Sequence, residues 1–120
     1  TTVYGEGTRK TMFMGKLMRG ELEYATNHVR DFIHVSDVIN AIMIFINTGT
    51  KGKLPTYNVG TGTGHIVSKL AQLKKPDIEI REGHECEALD NTADNSDLRA
   101  LGWEPKINAR GYLQNDGNVL

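Results

Sequence analysis

An α/β fold is the class this sequence predicts, on three observations. Short runs of β-branched and aromatic residues, such as 29–35 and 57–59, read as strands. Between them lie runs whose apolar residues recur every three or four positions, as on a helix face. Glycine and proline mark the boundaries. The 120 residues fit the length of one domain.

The elements follow in order. Tyr4-Gly5-Glu6-Gly7 is a loop. Residues 9–18 place Phe13, Met14, Leu17 and Met18 at helical spacing, and the helix ends near Gly20. Its three methionines suit an adaptable surface or a core, and core packing is the expectation. Residues 22–25 make a short strand and 29–35 a stronger one. Ser36 is placed to cap the next helix through its hydroxyl. Asp37 lies in that helix's first turn, where a negative charge meets the positive end of the dipole. From 38 to 46 the helix is apolar nearly all round, with only Asn40 as an exception. Such a helix needs cover on more than one side.

Thr48-Gly49-Thr50-Lys51-Gly52 is a turn-rich linker. Residues 57–59 form a buried strand, and the loop 60–64 follows it. Ser68 caps a helix running to about Lys75, with Leu70, Ala71 and Leu73 inward and Pro76 as its stop. Residues 78–80 are another strand. Asn95 or Ser96 starts a short helix through Leu98 and Leu101. Gly102 provides its left-handed cap, and Trp103 packs on it. From Lys106 onward the pattern is weak.

Composition narrows the function. The chain is 38% hydrophobic and 24% charged, ordinary for a globular protein. Its longest apolar run, 41–46, is far short of the ~20 residues of a membrane span. Formal net charge is −1, so no basic excess is present to meet a nucleic-acid backbone. The charge is uneven: residues 1–75 carry +5 and 76–120 carry −6. The single Cys86 excludes an internal disulfide and fits a reducing, cytoplasmic location.

Four patterns could carry chemistry. Gly60-Thr61-Gly62-Thr63-Gly64 resembles a phosphate cradle, because closely spaced glycines let backbone N–H groups approach an anion. However, His65 stands at the sixth position of the dinucleotide fingerprint, and no Gly-Lys-Ser/Thr follows. A turn without a ligand is therefore the expectation. His84-Glu85-Cys86 is a compact set of possible metal ligands with no second pair nearby, so a surface loop is expected there and no metal. A Ser-His-Asp site lacks the Gly-x-Ser-x-Gly elbow. Arg30 and Arg81 flank strands, and their guanidinium groups could bind phosphate oxygens in a planar fork. A surface ion pair is the alternative for each.

Four runs, read together, resemble the C-terminal portion of the extended short-chain dehydrogenases/reductases, and within them the NAD-dependent nucleotide-sugar epimerases and dehydratases. Thr2-Val3-Tyr4-Gly5-Glu6-Gly7 is similar to the family's Asn-Val-Tyr-Gly-Pro-Gly. Arg30-Asp31-Phe32-Ile33-His34-Val35-Ser36-Asp37-Val38 is similar to its Arg-Asp-Phe-Ile-His-Val-x-Asp-Val. Tyr57-Asn58-Val59-Gly60-Thr61-Gly62 matches Tyr-Asn-Val-Gly-Ser/Thr-Gly. Asp94-Asn95-Ser96 with Leu101-Gly102-Trp103-Glu104-Pro105 resembles Asp-x-Ser-Lys and Leu-Gly-Trp-x-Pro. The runs occur in the family's order.

The resemblance implies a Rossmann-like fold and a nucleotide-diphosphate sugar as ligand. It implies that Arg30 and Arg81 hold the diphosphate and that Thr2 and Tyr4 are further substrate-binding positions. Thr2 stands where the family usually has Asn. In the Arg-Pro-Gly-Asp run that Arg81 would open, Glu82 replaces Pro and His84 replaces Asp. The family's Tyr-x-x-x-Lys pair is absent, since Thr8, His28, Thr61 and Asp116 stand four residues after the tyrosines. No catalytic, cofactor-binding or metal-binding residue is therefore expected in this chain. NAD or NADP would be bound by an N-terminal cofactor domain of ~150 residues that this sequence lacks. Residues 1–120 would be the substrate-binding portion, probed through UDP, GDP or dTDP binding. The alternative is a non-catalytic module that self-associates through the exposed apolar helix.

Overall fold

The structure is a computed structural model that describes residues 1–48, 56–83 and 89–118. Seven short strands and five helices alternate along the described residues. The strands are β1 (Thr2–Tyr4), β2 (Tyr24–Ala25), β3 (Val29–Arg30), β4 (Phe32–His34), β5 (His65–Ile66), β6 (Glu79–Ile80) and β7 (Asp90–Asn91). The helices are α1 (Phe13–Met18), α2 (Val35–Thr48), α3 (Val67–Gln72), α4 (Ser96–Ala100) and α5 (Ala109–Gln114). Three small sheets result: β1 parallel to β4, β2 parallel to β6, and β5-β3-β7 with β3 in the middle.

Alternation along β4 splits the core in two. Phe32 points into a cluster with Tyr4, Met14, Leu17, Leu22, Leu70, Ile78 and Leu113. Ile33 points the other way, into a cluster with Ala41, Leu98 and Trp103. Complete burial of a side chain such as Leu98 or Leu113 stabilises the fold by ~1.5–3 kcal/mol.

Several elements differ from the sequence expectation, each for a local reason. Helix α1 starts at Phe13 rather than 9, because a turn (Met12 N–H to Arg9 O, 3.1 Å) occupies the preceding residues. Its end is as expected. Gly20 has φ +71°, and the amides of Gly20 and Glu21 close on Leu17 and Lys16 oxygens at 3.1 and 2.9 Å, a Schellman motif. The run 29–35 is two strands in different sheets, because the chain turns at the buried Asp31.

Neither serine cap forms. Helix α2 begins at Val35, and the His34 ring, not the Ser36 hydroxyl, accepts the Ser36 amide hydrogen. Ser68 lies inside α3 and donates to Asn27 Oδ1 at 2.6 Å. Residues 57–59 make no strand. Tyr57 and Val59 instead pack on the second cluster, and Tyr57 lies 4.9 Å from Phe45. Gly102 (φ +94°) ends α4 and Trp103 packs on Leu98 as expected. Strands β1, β5 and β7 and helix α5 were not foreseen, and Tyr4, expected in a loop, ends β1, because pairing with β4 extends it. The start of α5 is fixed by Asn108, whose side-chain oxygen accepts the Arg110 and Gly111 amides.

Helix α2 is covered on one side only. Ile39, Ile42, Met43 and Ile46 are 43–66% exposed and lie along one stripe. The linker beginning at Thr48 lies mostly outside the described residues.

Candidate functional site

The glycine loop, residues 60–64, has its backbone donors turned onto an anion of the same chain. Asp31 is fully buried. Its Oδ1 accepts the Thr61 amide at 3.0 Å and the Thr61 hydroxyl at 2.6 Å. Its Oδ2 accepts the amides of Gly62 (2.9 Å) and Ala93 (3.2 Å). Burying a carboxylate costs several kcal/mol unless donors of this kind surround it. Gly60 is required by close approach, since a Cβ there would lie 2.5 Å from Ala93 Cβ and 2.8 Å from Asp31 Oδ2. Gly62 is required by its φ of +76°. The Thr61 and Gly62 amides are thus committed to Asp31 and the Thr63 amide to the Thr61 hydroxyl, so these three do not cradle a dinucleotide phosphate.

Asp31 also fixes what lies beside it. Its carbonyl accepts the Thr2 amide at 2.8 Å, so Thr2 lies against the residue after Arg30. Arg30 is half-buried on β3, opposite His65 on β5 and Asn91 on β7, and its Nη1 donates to Val29 O at 2.8 Å. Directly opposed residues present side chains to the same sheet face, so Arg30, His65 and Asn91 share one face.

Arg81 follows β6, and its amide donates to Ala25 O at 2.9 Å. Its Nη2 donates to Glu79 Oε2 at 2.9 Å, and its guanidinium carbon sits 4.3 Å from the centre of the Tyr24 ring. Arg81 and Arg30 belong to different sheets, joined by the short segment 26–28. Gly83 runs so close to His28 that an added Cβ would fall 1.6 Å from Cε1 of its ring.

Tyr24 is the site residue that the sequence reading missed. It is 43% exposed and lines a cavity of about 350 Å³ together with Thr11, Phe13, Lys16, Glu23 and Thr26. That volume falls at the low end of the ~300–1,000 Å³ of small-molecule sites. The signal was an exposed aromatic at the end of a short strand, indistinguishable by pattern from a core tyrosine.

Tyr4, an expected substrate-binding position, lines a cavity of about 280 Å³ with Val3, Gly5, Thr8 and Arg9. It is 1% exposed, with its ring edge-on to His34 and Tyr112 at 5.3 and 4.9 Å. Among the described residues its hydroxyl has no hydrogen-bond partner. Burial, then the charge of Asp37, pushes its ionisation well above the usual range.

His34, next to it, can be assigned a protonation state. Its Nδ1 accepts the Ser36 amide hydrogen at 3.1 Å, with Ser36 Oγ 2.8 Å away. An amide only donates, so Nδ1 carries no proton. Burial lowers the His34 pKa in the same sense, against an opposing pull from Asp37. Asp37 is fully buried as well. Its carboxylate accepts the Lys106 and Ile107 amides at 2.9 and 3.1 Å, and its carbonyl accepts Trp103 Nε1 at 3.0 Å.

The run His84-Glu85-Cys86 lies outside the described residues. Among the described residues, no group of three His, Cys, Asp or Glu side chains could hold a metal. Likewise, no helix there is long and apolar enough to cross a membrane.

Comparison with known proteins bears on the whole chain. No protein-family model matches it. A probable UDP-arabinose 4-epimerase of Oryza sativa subsp. japonica is 40% identical over 47 residues, which are 39% of this chain and 11% of that protein. A CDP-abequose synthase of Salmonella typhimurium is 29% identical over 99 residues, or 72% of this chain and 32% of that protein. The UDP-glucose 4-epimerase of Thermotoga maritima, solved with UDP-glucose, superposes with a TM-score of 0.74 at 25% identity, over 94% of this chain and 41% of that one. Other solved chains with the same fold hold NAD or NADPH. The chain thus spans a third or less of the curated relatives' length and about two fifths of the solved relative's. Its α/β, Rossmann-like fold matches the extended short-chain dehydrogenase structures, as expected. These likenesses support membership in the NAD-dependent nucleotide-sugar epimerase/dehydratase family.

Proposed function

We propose that, within this family, the chain supplies the substrate-binding portion and holds a nucleotide sugar by its diphosphate. The observation that carries this reading is Arg81 laid on Tyr24, whose ring lines the 350 Å³ cavity. A guanidinium held against a ring keeps donors directed outward for phosphate oxygens, and the exposed ring offers a stacking surface to a base. Arg30, fixed beside Thr2 by Asp31, supplies the second cation. Tyr4 supports Thr2 and the adjoining loop from beneath.

The likeness to proteins named for UDP- and CDP-sugars supports the ligand class. The contribution of this chain is positioning: binding energy spent on the diphosphate orients the sugar for chemistry performed elsewhere. Hydride transfer belongs to a nicotinamide cofactor. Its binding half and the Tyr-x-x-x-Lys pair are proposed to come from sequence N-terminal to these residues.

Calorimetric titration with UDP, CDP, dTDP and GDP tests the reading. At least one should bind, and Arg81→Ala and Tyr24→Ala should each weaken it about tenfold or more. Turnover of a nucleotide sugar by this chain with added NAD would contradict the division of roles. The exposed stripe on α2 favours a second reading, a module that self-associates through Ile39, Ile42, Met43 and Ile46.

A further inference from the structure

We propose that a second cavity, between the glycine loop, α4 and the segment leading into α5, is a binding site for a compact oxyanion, either inorganic phosphate or a phosphate monoester. It measures about 210 Å³ and is lined by Thr61, Thr63, His65, Arg99, Lys106 and Asn108, among others. The volume is below the ~300 Å³ at which small-molecule sites begin, which suits an ion-sized group.

The donors are fixed before any ligand arrives. Arg99 Nε donates to Asn95 Oδ1 at 3.0 Å, and its Nη2 lies 3.5 Å from Thr61 O. Asn95 is itself anchored, since its Nδ2 donates to Gly60 O at 2.8 Å. The guanidinium is thus held over the loop with Nη1 uncommitted, and preorganisation of this kind lowers the cost of binding. The Lys106 backbone is pinned by the hydrogen bond that its N–H donates to the Asp37 carboxylate, leaving the ammonium on a flexible stem 3.7 Å from Glu104.

Neither Arg99 nor Arg110 has an ion-pair partner among the described residues, whereas Arg19, Lys74, Arg81 and Lys106 each have one. Two buried carboxylates stand behind the cavity wall, and both are turned away from it: Asp31 accepts four donors, and Asp37 accepts the Lys106 and Ile107 amides. Burial lowers the affinity of the His65 ring on the cavity wall for a proton, Asp31 opposes it, and the charge of Arg110 adds a smaller push in the same sense as burial. An oxyanion would take up the guanidinium donors of Arg99 that the protein leaves open. This site shares neither Arg81 nor Tyr24 with the proposed nucleotide site.

Phosphate titration of the isotope-labelled protein, followed by NMR at constant ionic strength with chloride as the control, tests the proposal. Saturable shifts of the His65 imidazole and the Thr63 amide with phosphate, absent with chloride, are expected. Arg99→Gln, which keeps a side-chain amide for Asn95, should weaken them about tenfold, and Arg110→Gln should weaken them with the fold untouched. The Trp103 indole N–H signal reports folding in every variant. Methyl phosphate in a parallel titration identifies the source: tighter binding names a monoester, weaker binding the free ion. The proposal is overturned if no saturable shift occurs at millimolar phosphate in the folded protein. It is equally overturned if Arg30→Ala removes the response while Arg99→Gln leaves it.

Discussion

The carboxylate of Asp31 accepts both the amide and the hydroxyl hydrogen of Thr61, at 3.0 and 2.6 Å, so the glycine loop closes on an anion of its own chain. This contact ties together β3, β4, the loop and Ala93, and it sets the backbone on which Arg30 and Thr2 stand. Asp31→Asn replaces an acceptor-only group with one that turns donors toward other donors. Unfolding in urea should show a loss of about 3 kcal/mol or more, the scale of two charge-assisted hydrogen bonds. A loss under about 1 kcal/mol would mean that the loop does not depend on this charge.

Glycine at position 60 answers to space and not to flexibility. Gly60→Ala would drive a methyl to 2.5 Å from Ala93 Cβ. The expected cost is about 1–3 kcal/mol, as for overpacking. Gly62→Ala meets a different obstacle, a φ of +76°, and should cost about 1 kcal/mol. Thermal melts of both variants check the order.

Acid should weaken the fold through His34. Its pKa in the folded chain is lowered by burial, so the folded state binds fewer protons than the unfolded one. The stabilisation is complete above the unfolded value of about 6.5 and is lost as pH falls through the lower folded value. Protonation at Nδ1 also breaks the contact with Ser36. Stability measured from pH 7 to 5 should therefore fall more steeply in the parent than in His34→Gln. Parallel curves would contradict the assigned tautomer.

The apolar stripe of α2 should govern association. Ile42→Lys with Ile46→Lys changes positions that are 52% and 66% exposed, so stability should move by no more than about 0.5 kcal/mol per site. Sedimentation should show concentration-dependent association in the parent and a monomer in the double variant. A parent that stays monomeric at high concentration would remove the self-association reading.

Much of this architecture was legible in the sequence, and the failures share a cause. Gly20 and Gly102 announced helix ends because a left-handed cap is a local demand. Leu98 and Trp103 announced their contact by apolar spacing. Asp31 announced nothing, because the bonds it makes reach Thr61, Gly62 and Ala93, 30 to 62 positions away. The unbroken strand expected over 29–35 failed there, since pattern cannot show a turn made by a buried carboxylate. Ser36 and Ser68 looked like caps because their type favours the role, yet long-range packing and a neighbouring ring took their places. Of the site, the arginines were visible as isolated cations and Tyr24 was not, because its exposure depends on what surrounds it.

The affinity of a nucleoside diphosphate, set against that of its parent nucleoside, tests the central claim most directly when measured with and without Arg30→Ala. If Arg30 and Arg81 hold the diphosphate, the diphosphate binds more tightly than the nucleoside. The substitution then lowers only the diphosphate's affinity, by about ten- to a hundredfold, the worth of a charged hydrogen bond of ~1.5–3 kcal/mol. Equal affinities for the two ligands, or a diphosphate affinity unchanged by Arg30→Ala, would contradict it.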